Sequence, residues 1–301
     1  MKKMLITGGT VFVSRFAAEY FAKLYDVYVL NRNTRPQCDG VTLVEADRHG
    51  LGNRLRDMHF DVILDITAYD AQDVTDLLEA VGSFDDYILV SSSAVYPETE
   101  KQPFSEETPA GANSIWGKYG TDKIAAEKAL LARVPNARIL RPPYLYGPGN
   151  NVYREAFVFD CAMEDRPFYL PGSGEMGLQF FHVEDLCRFI DRILSEKPGQ
   201  HIFNVGNQEL VSVREWVTAC YAAAGKKPEF CYVRDEIAQR SYFPFYDYEY
   251  CLDVKKQNQL LEDTKSLEDG LRESFEWYQR NKALVNRKPL ISYIDQYLAH
   301  K

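Results

Sequence analysis

Short runs of apolar, β-branched residues alternate with amphipathic stretches along the first half of this 301-residue chain. Five such runs are Val27–Leu30, Val41–Val44, Val62–Ile66, Tyr87–Val90 and Ala137–Leu140. Stretches with helical spacing, such as 71–81 and 123–134, lie between several of them. This alternation is typical of βαβ units, in which helices bury both faces of a parallel sheet. It predicts an α/β fold with a doubly wound parallel sheet, which binds ligands at the carboxyl ends of its strands.

A glycine-rich turn follows the first apolar residues of the chain. The stretch Ile6-Thr-Gly-Gly-Thr-Val-Phe-Val-Ser-Arg15 lies between Met4-Leu5-Ile6 and an amphipathic run, Phe12–Leu24. A strand, turn and helix of this kind form the fingerprint of a dinucleotide-binding turn, because free N–H groups at the helix start bind the pyrophosphate. Any strand–helix connection also favours glycine, so the turn alone leaves both interpretations open.

Val11 and Ser14 stand at two positions where such turns usually carry glycine. The local chemistry of the turn is retained, because Gly8 and Gly9 permit the tight turn and a backbone N–H does not require glycine. The candidate cofactor-binding residues of the turn are Gly8, Thr10, Val11 and Phe12.

The second apolar run ends in Asn31 and Arg32. An NAD site normally places an acidic residue here to hold the ribose hydroxyls. Asn31 can still bind a hydroxyl without repelling a 2′-phosphate, and Arg32, with Arg35 nearby, can pair with that phosphate. Arg32 is equally consistent with an ordinary surface arginine. Because it follows a second Rossmann strand, the sequence favours NADP over NAD.

Tyr119 and Lys123 are four residues apart, so a helix places both side chains on one face. A tyrosine with the ordinary pKa of about 10 is a poor base at neutral pH. A nearby ammonium group stabilises the phenolate and lowers that pKa, which would make Tyr119 a usable acid or base. This spacing also arises by chance in many helices.

A serine-rich segment strengthens the catalytic interpretation of this pair. Ser91-Ser-Ser-Ala-Val-Tyr-Pro97 follows the run Tyr87–Val90, where hydroxyl groups at the end of a central strand would face the cofactor. Serine-rich turns are also common after strands in general. The combination of this segment, the glycine-rich turn and the Tyr–Lys pair in this order points to a catalytic site.

These motifs resemble the extended short-chain dehydrogenase/reductase family, in its nucleotide-sugar epimerase/dehydratase group. The resemblance covers nearly the whole chain and implies a Rossmann fold. Thr7-Gly-Gly-Thr10 is similar to the family's TGxxGxxG turn, and it also resembles a divergent GGTxF branch that includes chloroplast proteins regarded as RNA-associated. Phe181-His-Val-Glu-Asp-Leu186 resembles the FIHVDDL landmark, in which His182 and Asp185 would be structural groups and not metal ligands. No metal site is expected.

The resemblance assigns roles to further residues. It implies that Asp47 and Arg48 lie near the adenine, that Thr67 and Ala68 line the nicotinamide ribose, and that Ser92 is the catalytic hydroxyl. Tyr119 would exchange the proton of the substrate hydroxyl during hydride transfer, while Lys123 would also bind the nicotinamide ribose. The candidate catalytic residues are therefore Ser92, Tyr119 and Lys123. The family also implies a homodimer built through helices near 71–81 and 123–131.

The substrate is less constrained than the chemistry. Ser93 and Ala94 follow Ser92 where the family's dehydratases carry an acid pair, so dehydration is disfavoured. Leu178 stands where many of the epimerases carry a diphosphate-binding arginine, which disfavours a standard UDP-sugar pose. We expect an epimerase or reductase acting on a nucleotide sugar or related polyol. Candidate substrate contacts, chosen on topology alone, are Asn113, Tyr144, Phe168 and Gln179.

The sequence after Arg141 is more aromatic and irregular, and it predicts a second, smaller region. Prolines and glycines in residues 141–150 exclude a helix there, while a strand at Ile202–Val205 and a helix at Val213–Ala224 resume the earlier alternation. We expect an NAD(P)-binding domain in residues 1–145, with 181–215 returning to it. Residues 146–180 and 216–301 would form a discontinuous substrate-binding part.

Composition limits the other classes of function. The net charge of −9 disfavours a nucleic-acid partner, although a non-catalytic Rossmann scaffold of the RNA-associated kind remains the alternative. The six cysteines are scattered, which is typical of reduced thiols in a chain of this size. We find no signal peptide and no apolar run of about 20 residues, so we expect a cytoplasmic protein without a membrane partner.

Overall fold

A computed structural model describes residues 1–234 and 236–299. The strands, in chain order, are β1 (Lys3–Thr7), β2 (Asp26–Asn31), β3 (Val41–Glu45), β4 (His59–Asp65), β5 (Ser83–Val90), β6 (Arg138–Arg141), β7 (Tyr144–Tyr146), β8 (Phe168–Pro171), β9 (Gly177–Leu178), β10 (Phe180–His182), β11 (Ile202–Asn204), β12 (Val211–Ser212) and β13 (Phe230–Val233). The α-helices are α1 (Phe12–Phe21), α2 (Ala71–Ala80), α3 (Lys118–Arg133), α4 (Glu155–Met163), α5 (Val183–Glu196), α6 (Val213–Ala223), α7 (Lys255–Asn258), α8 (Leu267–Asn281) and α9 (Leu290–Tyr297).

Seven parallel strands form the central sheet, in the order β11-β6-β5-β4-β1-β2-β3. Successive residues of β1 face opposite sides, so that Met4 and Ile6 enter one apolar core and Leu5 enters the other. Helices α1 and α5 contribute to the first core, and α2 and α3 contribute to the second. The predicted doubly wound Rossmann-type sheet is confirmed, and its carboxyl-terminal edge runs along the ends of β1, β2, β4 and β5.

A buried carboxylate ties the strand ends of this edge together. Asp65, at the end of β4, is fully buried and accepts hydrogen bonds from the Thr7 hydroxyl at 2.8 Å and the Tyr87 hydroxyl at 2.6 Å. It also forms an ion pair with Arg48. The Thr7 hydroxyl in turn accepts the N–H groups of Ile66 and Thr67. The base of the predicted cofactor groove is therefore held by a fully satisfied polar network.

A second buried network fixes α3 against the sheet. Arg141 at the end of β6 forms a two-pronged ion pair with Glu127 of α3, with Nε 3.0 Å from Oε1. Its third bond goes to the Tyr96 hydroxyl at 2.9 Å, which donates to Asn204 at 2.7 Å. Because these partners come from α3, two strands and a loop, the network fixes the position of α3 relative to the strand ends.

The second half of the chain builds a separate aromatic core around Trp216, Phe180, Phe243 and Phe245, into which α4, α6 and α8 pack. Three two-stranded sheets (β10 with β7, β12 with β9, β13 with β8) lie in this region. The domain boundaries given above remain a prediction. No helix within residues 1–234 and 236–299 combines the length and apolar character needed to cross a membrane.

One segment of this half, residues 239–254, crosses back to the first half, and we call it the return segment. Tyr250 accepts a hydrogen bond from the Ser93 hydroxyl at 3.1 Å. Phe104 donates its N–H to the Cys251 carbonyl and accepts that of Asp253, both at 2.8 Å. The return segment therefore lies beside the serine-rich loop that follows β5.

Candidate dinucleotide and catalytic site

The glycine-rich turn lies at the sheet edge, directly before α1. No side chain of the described residues caps the start of this helix, and its first turn contains no acidic residue. The N–H groups at such a start carry partial positive charge and lack internal acceptors, which is the arrangement that binds an anionic pyrophosphate. Val11, the residue before the helix, is extended at φ −137° and ψ 135°.

Close packing explains why glycine is retained at positions 8 and 9 of the turn. A Cβ on Gly9 would lie 2.6 Å from Val29 Cγ1, and one on Gly8 would lie 2.7 Å from Ser14 Oγ. Both glycines also have φ near +90°. Ser14 instead fits the helix, where its hydroxyl donates to the Val11 carbonyl at 3.0 Å. The turn therefore keeps its backbone donors although valine and serine replace two of the usual glycines.

Phe12 adopts a left-handed backbone with φ +40° at the first position of α1. For a non-glycine residue this conformation costs about 1–3 kcal/mol, and such strain is often found at functional sites. Gly149 lies against it, since a Cβ there would be 3.4 Å from the Cα of Phe12. The loop after β7 therefore covers one side of the turn.

The groove continues from the turn across the ends of β2, β3 and β4, as a cavity of about 470 Å³. Arg32 and Asp47 face each other at its exposed end, with 3.9 Å between their charged groups. Asn31 is used internally, because its amide nitrogen donates to the Gly8 carbonyl at 2.7 Å and so braces the turn. Arg48 lines the groove with its guanidinium held by Asp65 and by Thr67 Oγ1 at 3.2 Å.

A second cavity of about 460 Å³ adjoins the groove, and we call it the crevice. The two share Val11, Thr67 and Tyr69, so they form one continuous depression. Ser92, Tyr119 and Lys123 all line the crevice. The structure therefore brings the three predicted catalytic residues together, beside the turn.

Lys123 is 3% exposed, and its ammonium group donates to the Ala68 carbonyl at 2.7 Å and the Val90 carbonyl at 3.1 Å. It lies 6.0 Å from the centre of the Tyr119 ring. Loss of hydration lowers the pKa of Lys123 to about 8, although the carboxylates of Asp65 and Glu127 act in the opposite direction. Burial of the charged ammonium group is therefore unfavourable. Lys123 nevertheless occupies this position at the crevice.

Tyr119 projects into the crevice with 41% of its surface exposed, so it is not part of the packed interior. Removal of water by the surrounding residues raises the pKa of its phenol, and the Ser92 hydroxyl lowers it by a smaller amount. The expectation that Lys123 lowers the pKa of Tyr119 is therefore wrong for the protein without a bound ligand. The reason is that the ammonium group of Lys123 is directed at the Ala68 and Val90 carbonyl oxygens. The phenol is protonated at neutral pH.

The predicted substrate contacts mostly lie elsewhere. Tyr144 lines the crevice. Phe168 is packed in the aromatic core. Asn113 binds the Tyr96 carbonyl at 2.9 Å, and Gln179 binds backbone groups of Asn207 and Leu252. These three predictions are corrected, because Asn113, Phe168 and Gln179 are at most 2% exposed and do not line the crevice.

Ala68 also differs from its expected place. Its side chain is fully buried in the core between the sheet and α2, and it does not line the groove. Its carbonyl oxygen, the acceptor of Lys123, is what links it to the site. Thr67, next to it, does line both the groove and the crevice.

Sequence reasoning missed the far wall of the crevice. Trp116, Arg154 and Tyr250 line it, and they come from the turn before α3, the loop before α4 and the return segment. No motif marks them, although the aromatic content of the second half was a general signal. A larger, mostly apolar cavity of about 580 Å³ lies on the other side of Phe12, against Trp277 of α8. None of Ser92, Tyr119 and Lys123 lines this cavity.

Comparisons with known proteins agree with this architecture. Residues 4–206 match the profile of the NAD dependent epimerase/dehydratase family. The chain is 29% identical to "Chloroplast stem-loop binding protein of 41 kDa b, chloroplastic" of Arabidopsis thaliana, over 91% of this chain and 78% of that protein.

A trifunctional UDP-glucose 4,6-dehydratase/UDP-4-keto-6-deoxy-D-glucose 3,5-epimerase/UDP-4-keto-L-rhamnose-reductase of Arabidopsis thaliana is 27% identical over 68% of this chain. The match spans only 31% of that protein's length. Among solved structures, UDP-glucuronic acid 4-epimerase from Bacillus cereus in complex with NAD superposes with a TM-score of 0.71 at 20% identity. That superposition covers 92% of this chain and 99% of the epimerase, and it shows that the fold is shared.

Proposed function

This chain belongs to the NAD dependent epimerase/dehydratase family and is an NAD(P)-dependent enzyme of that type, and we propose that it acts as an epimerase or reductase on a nucleotide sugar or related polyol. The observation that carries this proposal is the convergence of Ser92, Tyr119 and Lys123 on one crevice, next to the uncapped start of α1. Relatives named for UDP-glucose chemistry support the substrate class.

The residues of the groove fit a dinucleotide. The turn supplies N–H donors for the pyrophosphate, and its glycines leave no room for a Cβ on the side of the strands. Thr67 and Lys123 would hold the nicotinamide ribose, and Asp47 would lie at the adenosine end. A bound nicotinamide dinucleotide supplies the hydride acceptor and donor.

The choice between NAD and NADP depends on the residues at the exposed end of the groove. Arg32 is 72% exposed, and among the residues that the structure describes its ion-pair partner is Asp47 at 3.9 Å, so its guanidinium is available to a 2′-phosphate. We assign NADP on this ground. The family itself is NAD-dependent.

Tyr119 is the proton-transfer group in this proposal, and Ser92 hydrogen-bonds the reacting oxygen. Because its pKa is raised, the phenol enters the reaction protonated, which suits donation to an oxygen that gains negative charge during reduction. In the opposite direction Tyr119 must lose its proton, and the ammonium group of Lys123 then stabilises the phenolate if it turns from its carbonyl acceptors.

Dehydration does not fit the crevice. Elimination of water needs an acid and a base beside the reacting carbons. Among the described residues, no aspartate or glutamate lines the crevice. Ser93, which follows the catalytic hydroxyl, donates to Tyr250 and points to the return segment. Epimerase and reductase chemistry needs a hydroxyl, a proton-transfer group and a cation beside the cofactor, and Ser92, Tyr119 and Lys123 would supply these.

The proposal is tested with Tyr119→Phe. Titration of the purified protein with NADH and NADPH, followed by cofactor fluorescence, should show binding in both the wild type and the variant. Turnover with a panel of nucleotide sugars should fall by about 10²–10⁴-fold in the variant, the usual contribution of a positioned acid or base. Tyr297→Phe, an exposed tyrosine outside the crevice, is the matched control. Absence of binding by either cofactor would remove the enzymatic proposal.

A second function is favoured by the relative named for stem-loop binding, which matches 91% of this chain. In that case the Rossmann scaffold binds structured RNA and the catalytic residues are vestigial. The net charge of −9 opposes it. Electrophoretic mobility shift with a stem-loop RNA at physiological salt distinguishes the two, because the enzyme proposal expects no specific shift.

We also propose that the chain forms a homodimer through α2 and α3. These helices pack side by side on one face of the sheet, where Ala125 and Ala129 of α3 remain partly exposed. Light scattering at micromolar concentration tests this, and a monomer would contradict it.

A further inference from the structure

Three cationic side chains converge on a small chamber that opens from the crevice. Arg154, Arg240 and Lys288 all line it, and its volume is about 190 Å³. The chamber and the crevice share Trp116, Tyr144, Val152 and Arg154, so the two are continuous. The cations come from the loop before α4, from the start of the return segment and from the chain before α9.

The described residues provide these cations with no ion pair. Of the 27 ion pairs they form, none includes Arg154, Arg240 or Lys288. The pKa of Arg240 and that of Lys288 are lowered, first by loss of hydration and also by neighbouring cations. Like charges this close repel one another, and an anion between them would relieve that repulsion.

Aromatic rings hold the two arginines in place. The guanidinium of Arg154 lies 4.9 Å from the centre of the Tyr144 ring, and that of Arg240 lies 4.7 Å from the centre of Tyr246. Cation–π contacts of this kind contribute about 0.5–2 kcal/mol each but leave the net positive charge unchanged. They fix the direction of the guanidinium groups and leave their N–H donors available.

An unpartnered hydroxyl group is an independent sign of a ligand. Tyr144 is 6% exposed, and its hydroxyl oxygen is fully buried without a hydrogen-bond partner among the described residues. A buried polar group without a partner costs about 1–3 kcal/mol, so native structures rarely retain one without a reason. Tyr144 lines both cavities, and the charges of Arg154 and Arg240 act on its phenol, so the unpartnered hydroxyl lies close to the arginines of the chamber.

We propose that this chamber binds the phosphoryl group of a sugar phosphate monoester, held by Arg154, Arg240, Lys288 and the Tyr144 hydroxyl. This inference rests on the proposed function and narrows its substrate class to a phosphorylated sugar or polyol in place of a nucleotide sugar. The sugar would occupy the crevice, where Tyr119 and Ser92 reach its hydroxyl groups.

Size and charge select the monoester. A cavity of about 190 Å³ is below the roughly 300–1,000 Å³ of pockets that enclose a whole small molecule, so it suits a terminal group. A phosphate monoester carries about −1.5 to −2 charges at neutral pH and has three acceptor oxygens. It therefore matches three cations and a hydroxyl donor better than a carboxylate with one charge does.

The first test is a titration of the full-length protein with inorganic phosphate and with glucose 6-phosphate by calorimetry. Saturating NADP is present throughout, so that the pyrophosphate site is filled and does not compete. We expect both probes to bind, and Arg240→Gln and Lys288→Gln each to weaken binding by about tenfold or more, since each removes a charge-assisted contact. Arg280→Gln, which removes an exposed charge outside the chamber, should have no effect. Equal affinities in all four proteins would overturn the proposal.

Tyr144→Phe provides a second test that does not depend on charge. If the hydroxyl binds the phosphoryl group, the variant binds glucose 6-phosphate several-fold more weakly and keeps a thermal midpoint at least as high as that of the wild type. An unchanged affinity would show that the hydroxyl is only a buried group of the core, and it would contradict the assignment.

The source of the phosphoryl group is decided by competing probes. Binding of UDP-glucose that is lost in Arg240→Gln, with no binding of glucose 6-phosphate, would overturn the monoester in favour of a diphosphate. Tighter binding of glucuronate than of glucose 6-phosphate would overturn it in favour of a carboxylate. Failure of this inference is separable from failure of the proposed function, because cofactor binding is measured by fluorescence in the same samples.

Discussion

Replacement of Lys123 by methionine should change how the stability of this protein depends on pH. In the folded protein, loss of hydration lowers the pKa of Lys123 from 10.5 to about 8. Between these two pH values the unfolded chain binds more protons than the folded protein, so the free energy of unfolding rises with pH. Methionine has similar length and cannot titrate, so the variant lacks this increase.

The magnitude follows from the two pKa values. Their difference corresponds to about 3 kcal/mol of destabilisation well below pH 8, at about 1.4 kcal/mol for each tenfold change in the acidity constant. Raising the pH from 7 to 9.5 should remove about 2 kcal/mol of it. The side chain is 3% exposed, so solvent screens little of this effect.

The measurement is urea unfolding of the wild type and of Lys123→Met at pH 7 and at pH 9.5. Subtracting the two proteins cancels the titration of the other groups, which both contain. Lys128→Met is the matched control, because this lysine lies on the same helix and is exposed. The wild type should gain about 2 kcal/mol relative to Lys123→Met, and nothing relative to Lys128→Met.

Parallel pH profiles for the wild type and Lys123→Met would refute the reasoning, since they would mean that the ammonium group is fully compensated where it lies. The variant also loses the donors to the Ala68 and Val90 carbonyls. That loss shifts its stability by the same amount at both pH values and does not affect the comparison. The same variant should fail to bind NADH, which links the unfavourable burial to the site.

Three further changes test the glycine-rich turn, the network that fixes α3 against the sheet, and the choice between NAD and NADP. Gly9→Ala should lower NADH affinity by at least about tenfold and reduce the thermal midpoint, because its Cβ would lie 2.6 Å from Val29 Cγ1; adding Val29→Ala should restore part of both, and no restoration would place the effect elsewhere. Arg141→Met should lower the free energy of unfolding by about 3–5 kcal/mol in urea, because it leaves the buried Glu127 without its partner. Adding Glu127→Gln should recover part of that loss. Arg32→Ala should weaken NADPH binding about tenfold and leave NADH unchanged; equal changes for both cofactors would contradict the NADP assignment.

The sheet was predictable because its strands are buried on both faces and therefore form apolar runs. Where part of a strand lies outside the core, its residues are polar and the apolar pattern no longer predicts a strand. The run Tyr87–Val90 gave only the second half of β5, which begins at Ser83. The first half carries Asp86, which is paired with Arg138 and Lys197, and such polar residues do not indicate a strand.

The convergence of the three proposed catalytic residues on one cavity was predictable for a different reason. Ser92, Tyr119 and Lys123 belong to short local motifs, and parallel strands bring their carboxyl ends to one edge. The substrate side depends on contacts between distant residues, such as the bond between Ser93 and Tyr250, which are 157 positions apart. Topology alone could not distinguish Tyr144, which lines the crevice, from Gln179, whose amide is bonded to backbone groups away from it.

The return segment also sets the order in which the enzyme is completed during translation. A nascent chain that ends before Gln239 already carries the glycine-rich turn, the serine and the Tyr–Lys pair, but it lacks the wall that Tyr250 provides. Phe104 then has neither of its backbone partners, Cys251 and Asp253. Chains released before this point lack one wall of the crevice, and we expect their serine-rich loop to be more open to water and to proteases than in the finished protein.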